Sequence, residues 1–182
     1  MPRRAPALAV LLALGLAAGA ASALTLRSPT VTEGAALPLS AVNDAPGCPP
    51  GGNVSPALIW SAVPAGTRGF ALTLFDPDAR GGAGWWHWAV YDIPANARGL
   101  PAGAGAGAGL PAGAAQAKTS FGTAVYGGAC PPPGPAHHYV FTVYALKRAR
   151  LDLPPGADAA AVARAAQAAA LAEARLTATF GR

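Results

Sequence analysis

Apolar positions along this chain come in short runs separated by glycine- and proline-rich breaks, with little sign of a 3.6-residue stripe until the C-terminal part. Phe70-Ala71-Leu72-Thr73-Leu74-Phe75 is apolar at all positions but one. That density predicts a strand buried on both faces. It runs directly into Asp76-Pro77-Asp78. Trp85 to Ile93 predicts a second such strand, stopped by Pro94, and His138 to Leu146 a third. Shorter strands are predicted at Leu24 to Arg27, at Thr30 to Thr32, and at Ala57 to Ala62 after the Ser55-Pro56 stop. Residues 99–115 are dense in glycine and alanine and predict a long flexible loop. One helix is expected. Leu153-Pro154-Pro155-Gly156 breaks the chain, Asp158 is a good N-cap, and the run from Ala159 to Arg175 is rich in the best helix former. Leu176 to Phe180 would return as a final strand. The reading is a mostly β protein with one or two peripheral helices.

The first residues change the picture of where this fold begins. Arg3 and Arg4 precede an apolar stretch from Ala7 to Ala20, and Ala21-Ser22-Ala23 supplies small residues for cleavage. This is the pattern of a secretory signal peptide over residues 1–23. The apolar run is shorter than the roughly 20 residues a membrane span needs. A single domain over residues 24–182 is expected, released to a periplasm or to the outside with no stable membrane anchor after cleavage. Without Arg3 and Arg4 the formal charge of +5 falls to +3. No Lys/Arg cluster is present, so nucleic acid is not an expected partner. The two cysteines, Cys48 and Cys130, each lie in a Pro/Gly loop. In an exported chain they are expected to pair.

The candidate chemistry is concentrated. The chain has eight acids and three histidines. Five of these eleven residues, Asp76, Asp78, His87, His137 and His138, sit where the strong strands end or begin. Asp76 and Asp78 are two apart, so in an extended segment both point to one side. They would bind a metal, act as acid and base, or simply accept hydrogen bonds from loop amides. On a strand His87 shares its face with Trp85 and Ala89, while Trp86 and Trp88 face the other way. His137 and Tyr139 alternate onto one face and His138 onto the other, so His137 is the expected pocket residue and His138 a structural one. Upstream, Tyr126-Gly127-Gly128-Ala129-Cys130-Pro131-Pro132-Pro133-Gly134 forms a stiff wall that permits close backbone approach. Such a set suits an oxyanion, or a transition metal held through His and Asp. There is no Gly-x-Ser-x-Gly, no Walker sequence and no His-Glu-x-x-His.

Several of these segments resemble one family. Gly52-Asn53-Val54-Ser55-Pro56-Ala57-Leu58-Ile59-Trp60, Asp76-Pro77-Asp78, Gly84-Trp85-Trp86-His87-Trp88, Ile93-Pro94, and Tyr126-Gly127-Gly128 through Pro131-Pro132 to His137-His138-Tyr139-Val140-Phe141 occur in order, and the likeness extends to Thr177-Ala178-Thr179-Phe180-Gly181-Arg182. The chain resembles the phosphatidylethanolamine-binding protein family in its bacterial, Raf-kinase-inhibitor-like branch. The resemblance implies an antiparallel β-sandwich-like fold, a large central sheet on a smaller one, with a C-terminal peripheral helix. It implies a small anion pocket at one edge of the central sheet, walled by Asp76, Asp78, His87, Tyr126, Pro131, Pro132, His137 and Tyr139. It implies a non-catalytic binding protein, without cofactor, for phosphate-like anions or phospholipid head groups. Inhibition or regulation of a partner enzyme, of protease or kinase type, is the alternative, and a metal-dependent or phosphoester hydrolase the second. Where the family usually continues Asp-Pro-Asp with Ala-Pro, this chain has Ala79-Arg80, which puts a cation near the mouth.

Overall fold

The computed structural model describes residues 23–182. The leader expected over residues 1–23 lies, apart from Ala23, outside the described residues. Two antiparallel sheets make up the fold. The small one has the order β1 (Thr25–Arg27), β2 (Leu58–Ser61), β5 (Gly99–Leu100). The large one has the order β6 (Ala115–Gln116), β4 (Trp85–Pro94), β3 (Gly69–Asp76), β7 (His137–Leu146), β8 (Ala170–Phe180). The single α-helix described, α1 (Ala159–Ala169), packs on the other face of the large sheet. The mostly β, sandwich-like architecture with a peripheral helix near the C-terminus is therefore as expected.

The three strong apolar runs are adjacent at the centre of the large sheet, with β3 flanked by β4 and β7. This explains why β3 is buried on both faces. Phe70, Leu72 and Leu74 pack with Trp60, Leu58, Trp88 and Phe141 between the sheets. Ala71 joins Ala89, Tyr144 and Leu146 under α1. The helix presents Ala159, Val162, Ala166 and Ala169 to that layer, a spacing of three and four residues that keeps one face inward. Small residues on both sides let the helix lie close. Asp158 caps it as expected, its side chain accepting from Ala161 N at 2.7 Å.

Three expectations need correction. The helix stops at Ala169 rather than Arg175, and the chain passes directly into β8. Ten positions of β8 pair with β7, from His137 opposite Phe180 to Leu146 opposite Ala170. Without them β7 would present an unpaired row of backbone donors and acceptors, and this long-range demand overrides the helix propensity of alanine. Residues 99–115 are not a free loop. They contain β5, a 3-10 turn at Ala104–Ala106 and the start of β6. Gly105 packs so closely that a Cβ there would lie 2.3 Å from Cβ of Tyr126. The small side chains serve close approach, not mobility. Thr30 to Thr32 forms no strand.

Candidate functional site

Antiparallel pairing gathers the chemistry. Because β4 and β7 both run against β3, the end of β3 and the starts of β4 and β7 lie at the same end of the sheet. Asp76 is therefore delivered beside Trp85 and His87 on one side and His137 and Tyr139 on the other. A pocket of about 560 Å³ opens there, lined by Asp76, Asp78, Arg80, Trp85, His87, Phe121, Cys130, Pro131, Pro132, His137 and Tyr139, with Ala79 and Gly81 at its edge.

Asp76 is buried and fully used by the protein. Its Oδ1 accepts from Asp78 N at 2.9 Å and Ala79 N at 3.0 Å, and its Oδ2 faces His137 Nδ1 at 2.7 Å. Asp78 Oδ2 accepts from the backbone N–H of His138 at 2.7 Å and faces its Nδ1 at 2.8 Å. Consecutive histidines on β7 thus clasp the two carboxylates. His138 itself does not line the pocket. The backbone and side-chain hydrogen bonds from His138 hold the Asp78 carboxyl below its ordinary range.

His87 is 4% exposed, and its Nδ1 donates to Gly127 O at 2.7 Å. Its ring stands edge-on to Phe121 and Tyr139, with centroids 5.4 and 5.2 Å away. Burial pushes the imidazole pKa down, against a partial upward pull from the Gly127 carbonyl. A register shift between Leu74 and Phe75 marks a bulge, and Trp88 pairs with Leu74 while Trp86 pairs with Phe75. The bulge separates two aromatics expected on one face. Trp88 enters the core between the sheets and Trp86 packs on the helix side. Trp85 and His87 line the pocket together.

The wall opposite is held from behind. Cys130 is bonded to Cys48, as expected, across a Cα separation of 5.6 Å. The Arg182 side chain donates to the carbonyls of Pro131 and Gly47, on either side of that link. A Cβ at Gly128 would lie 2.5 Å from backbone atoms of Ala41 and Asn43. Only glycine lets this segment pass beside residues 41–43 and present the Gly127 carbonyl to His87.

Of the eight site residues expected from the sequence, seven line the pocket. Tyr126 does not. It is buried behind the pocket with its ring edge-on to Trp88, and its hydroxyl donates to Ala41 O at 2.7 Å. Burial raises its pKa beyond the ordinary phenol range. Trp85 and Phe121 are lining residues that the sequence does not single out as site residues. Trp85 was read only as a neighbour of His87. Phe121, 44% exposed, carries no local signal, since it reaches the site from a turn outside the strands. Arg80 has left-handed backbone (φ 53°), followed by Gly81 (φ 65°), and its guanidinium lies 4.7 Å from the centre of the Trp85 ring at the pocket rim. Tyr139 is 1% exposed, and its hydroxyl has no hydrogen-bond partner among the described residues. Burial raises its pKa, with a smaller push from the Asp76 charge. Among the described residues no group of three or more His, Cys, Asp or Glu side chains is arranged to hold a metal ion.

Residues 27–181 match the model of the family described as phosphatidylethanolamine-binding protein. The chain is 44% identical over 163 residues to UPF0098 protein YbcL of Escherichia coli, covering 88% of each. It is 48% identical over 131 residues to UPF0098 protein YbhB of the same organism, covering 71% of this chain and 83% of the relative. A Mycobacterium tuberculosis protein named as a lipoprotein, LppC, is 42% identical over 164 residues, covering 90% of this chain and 75% of that one. The crystal structure of E. coli YbcL, described there as a new member of the mammalian family, superposes with a TM-score of 0.84 over 88% of this chain and 99% of that one.

Proposed function

Because the chain belongs to the phosphatidylethanolamine-binding protein family, we propose that it is an exported, non-catalytic binding protein whose pocket takes a phosphate-like anion or a phospholipid head group. The observation that carries this reading is the pocket itself. Its deep wall combines a buried, unpartnered Tyr139 hydroxyl with His87 and His137, and Arg80 stands at the rim. An unsatisfied buried hydroxyl costs stability unless a ligand or water completes it. Asp76 turns no unpaired oxygen towards an anion, since both oxygens are already held by two amides and His137. The ligand-binding set we assign is Asp76, Asp78, His87, Pro131, Pro132, His137 and Tyr139, with Arg80, Trp85 and Phe121 added. Tyr126 supports the wall from behind.

Titrating the protein with phosphate or phosphoethanolamine while following imidazole NMR signals tests this directly. Movement of the His87 and His137 signals at millimolar ligand is the expected result, and none at all would remove the reading.

Export of residues 24–182 as one domain rests on the Arg3-Arg4 and Ala7 to Ala20 pattern, on the Cys48–Cys130 bond, and on the lipoprotein name of one relative. Among the described residues no helix is long and apolar enough to cross a membrane. The N-terminal residue of the protein recovered after expression with an export pathway is expected to be Leu24. No specific observation favours the two alternatives: Ala104 and Gly105 anchor residues 99–115 to the body, and Asp76 and Asp78 pair with His137 and His138.

A further inference from the structure

The protons that the pocket offers are set by two hydrogen bonds. A carbonyl only accepts, so the 2.7 Å contact with Gly127 O places the proton of neutral His87 on Nδ1. Its Nε2 is then a bare acceptor. The Asp76 carboxylate fixes His137 in the same way, since Oδ1 is taken by two backbone amides and Oδ2 faces Nδ1. In its neutral form His137 also offers Nε2 as an acceptor. The side-chain hydrogen bonds of both rings to the protein run through Nδ1, and the Gly128 backbone also lies near His87.

The charged and titratable groups around His87 are Asp76 from β3, Asp78 and Arg80 from the turn after it, and His137 and Tyr139 from β7. None of them touches His87 as a donor. Burial among Phe121 and Tyr139 favours the neutral ring.

A fully ionised tetrahedral anion carries only acceptors. Set against a bare Nε2, its lone pairs meet another lone pair, and in a buried site that mismatch is costly. An oxyanion that keeps one proton has the donor that Nε2 lacks. Its remaining oxygens accept from the Tyr139 hydroxyl and, at the rim, from Arg80.

We propose that the pocket selects a tetrahedral oxyanion that retains a P–OH, the monoanion of phosphate or of a phosphomonoester, over anions without one, such as sulfate and phosphodiesters, and that His87 is the residue that makes this selection. This rests on the anion-pocket reading above and narrows it. The shared chemistry comes either from a free phosphoryl compound or from a lipid head group, and a lipid phosphodiester has no such proton.

Calorimetric titration of the purified protein at constant ionic strength separates these cases. The probes are glycerol phosphate, sulfate and glycerophosphoethanolamine, at pH 6 and pH 8. Glycerol phosphate is expected to bind at least about tenfold more tightly than either comparator at pH 6, the scale of one buried polar mismatch. Its affinity should fall by up to roughly 50-fold by pH 8, because the second ionisation of a phosphomonoester lies near pH 6. Sulfate binding as tightly as glycerol phosphate, with the same pH profile, would overturn the proposal and show that histidine protonation drives binding, leaving the anion pocket intact. Tightest binding of glycerophosphoethanolamine would overturn it in favour of a lipid diester. Binding of none of the three would overturn both this inference and the reading beneath it. In the glycerol phosphate complex, ¹⁵N NMR should show His87 Nε2 unprotonated and hydrogen-bonded. A protonated Nε2 there would also overturn it.

Discussion

Replacing Asp76 by Asn tests how the pocket floor is held together. The two side chains have the same volume, so no cavity forms. In the native protein the buried carboxylate accepts from Asp78 N, Ala79 N and His137 Nδ1. Hydrogen bonds to a charged group contribute about 1.5–3 kcal/mol each and neutral ones about 1 kcal/mol. In Asp76→Asn the two amides keep a weaker acceptor. The third position becomes an NH2 facing the Nδ1 proton of His137, and the ring must invert its tautomer to accept it. Converting three charge-assisted bonds to neutral ones gives a loss of roughly 2–4 kcal/mol. For a chain of this size each kcal/mol lowers the melting temperature by about 2–4 °C. A drop of roughly 4–16 °C is therefore expected in thermal unfolding followed by circular dichroism at pH 7 with the disulfide intact. A shift under about 2 °C would show that the carboxylate contributes no net stability. A more stable variant would show that Asp76 is held against stability for the sake of binding. Either result refutes the reasoning.

Tyr126→Phe removes one buried hydrogen bond outside the pocket. It should cost about 1 kcal/mol in denaturant unfolding and leave phosphate affinity unchanged, whereas Tyr139→Phe should reduce affinity with little loss of stability. The Cys48–Cys130 bond spans a sequence separation of 82 residues. Its reduction should cost roughly 4–5 kcal/mol by loop entropy, read as a lower denaturation midpoint, and it should weaken ligand binding because Cys130 is part of the pocket wall. His87 has a folded pKa below its unfolded value of 6.5. The unfolded chain therefore takes up a proton first as pH falls. His87 contributes stability above pH 6.5 that is lost on acidification towards its lower folded pKa. Stability measured from pH 7.5 to 5 should fall less steeply in His87→Gln.

The three strongest strands were legible because β3, β4 and β7 are the centre of the sheet, where burial on both faces writes a nearly continuous apolar run. The end of α1 was not, because alanine fits a helix and a small-residue strand equally well. Yet a period of two runs through Ala172, Ala174, Leu176 and Ala178 on the inner face, with Glu173, Arg175 and Thr177 outside. Helix propensity outweighed that alternation in the reading of residues 170–175. The family resemblance implies Tyr126 as a wall of the pocket. Sequence adjacency to Gly127 cannot show that its hydroxyl turns back to Ala41. Phe121 could not be found at all, since a turn residue carries no periodicity to indicate its facing.

The sequence by itself determined that Asp76, Asp78, His87, His137 and His138 sit at strand boundaries. Pattern and residue type are local properties, and strand alternation together with Tyr139 on the face of His137 separates His137 from His138. Only the tertiary structure decided what each of these residues has left to offer a ligand. Asp76 is spent on two amides and His137, while Gly127 fixes the His87 proton and Tyr139 keeps an unpartnered hydroxyl. Hydrogen-bond partners 40 and 61 residues away in sequence set these free valences, and no local pattern encodes them.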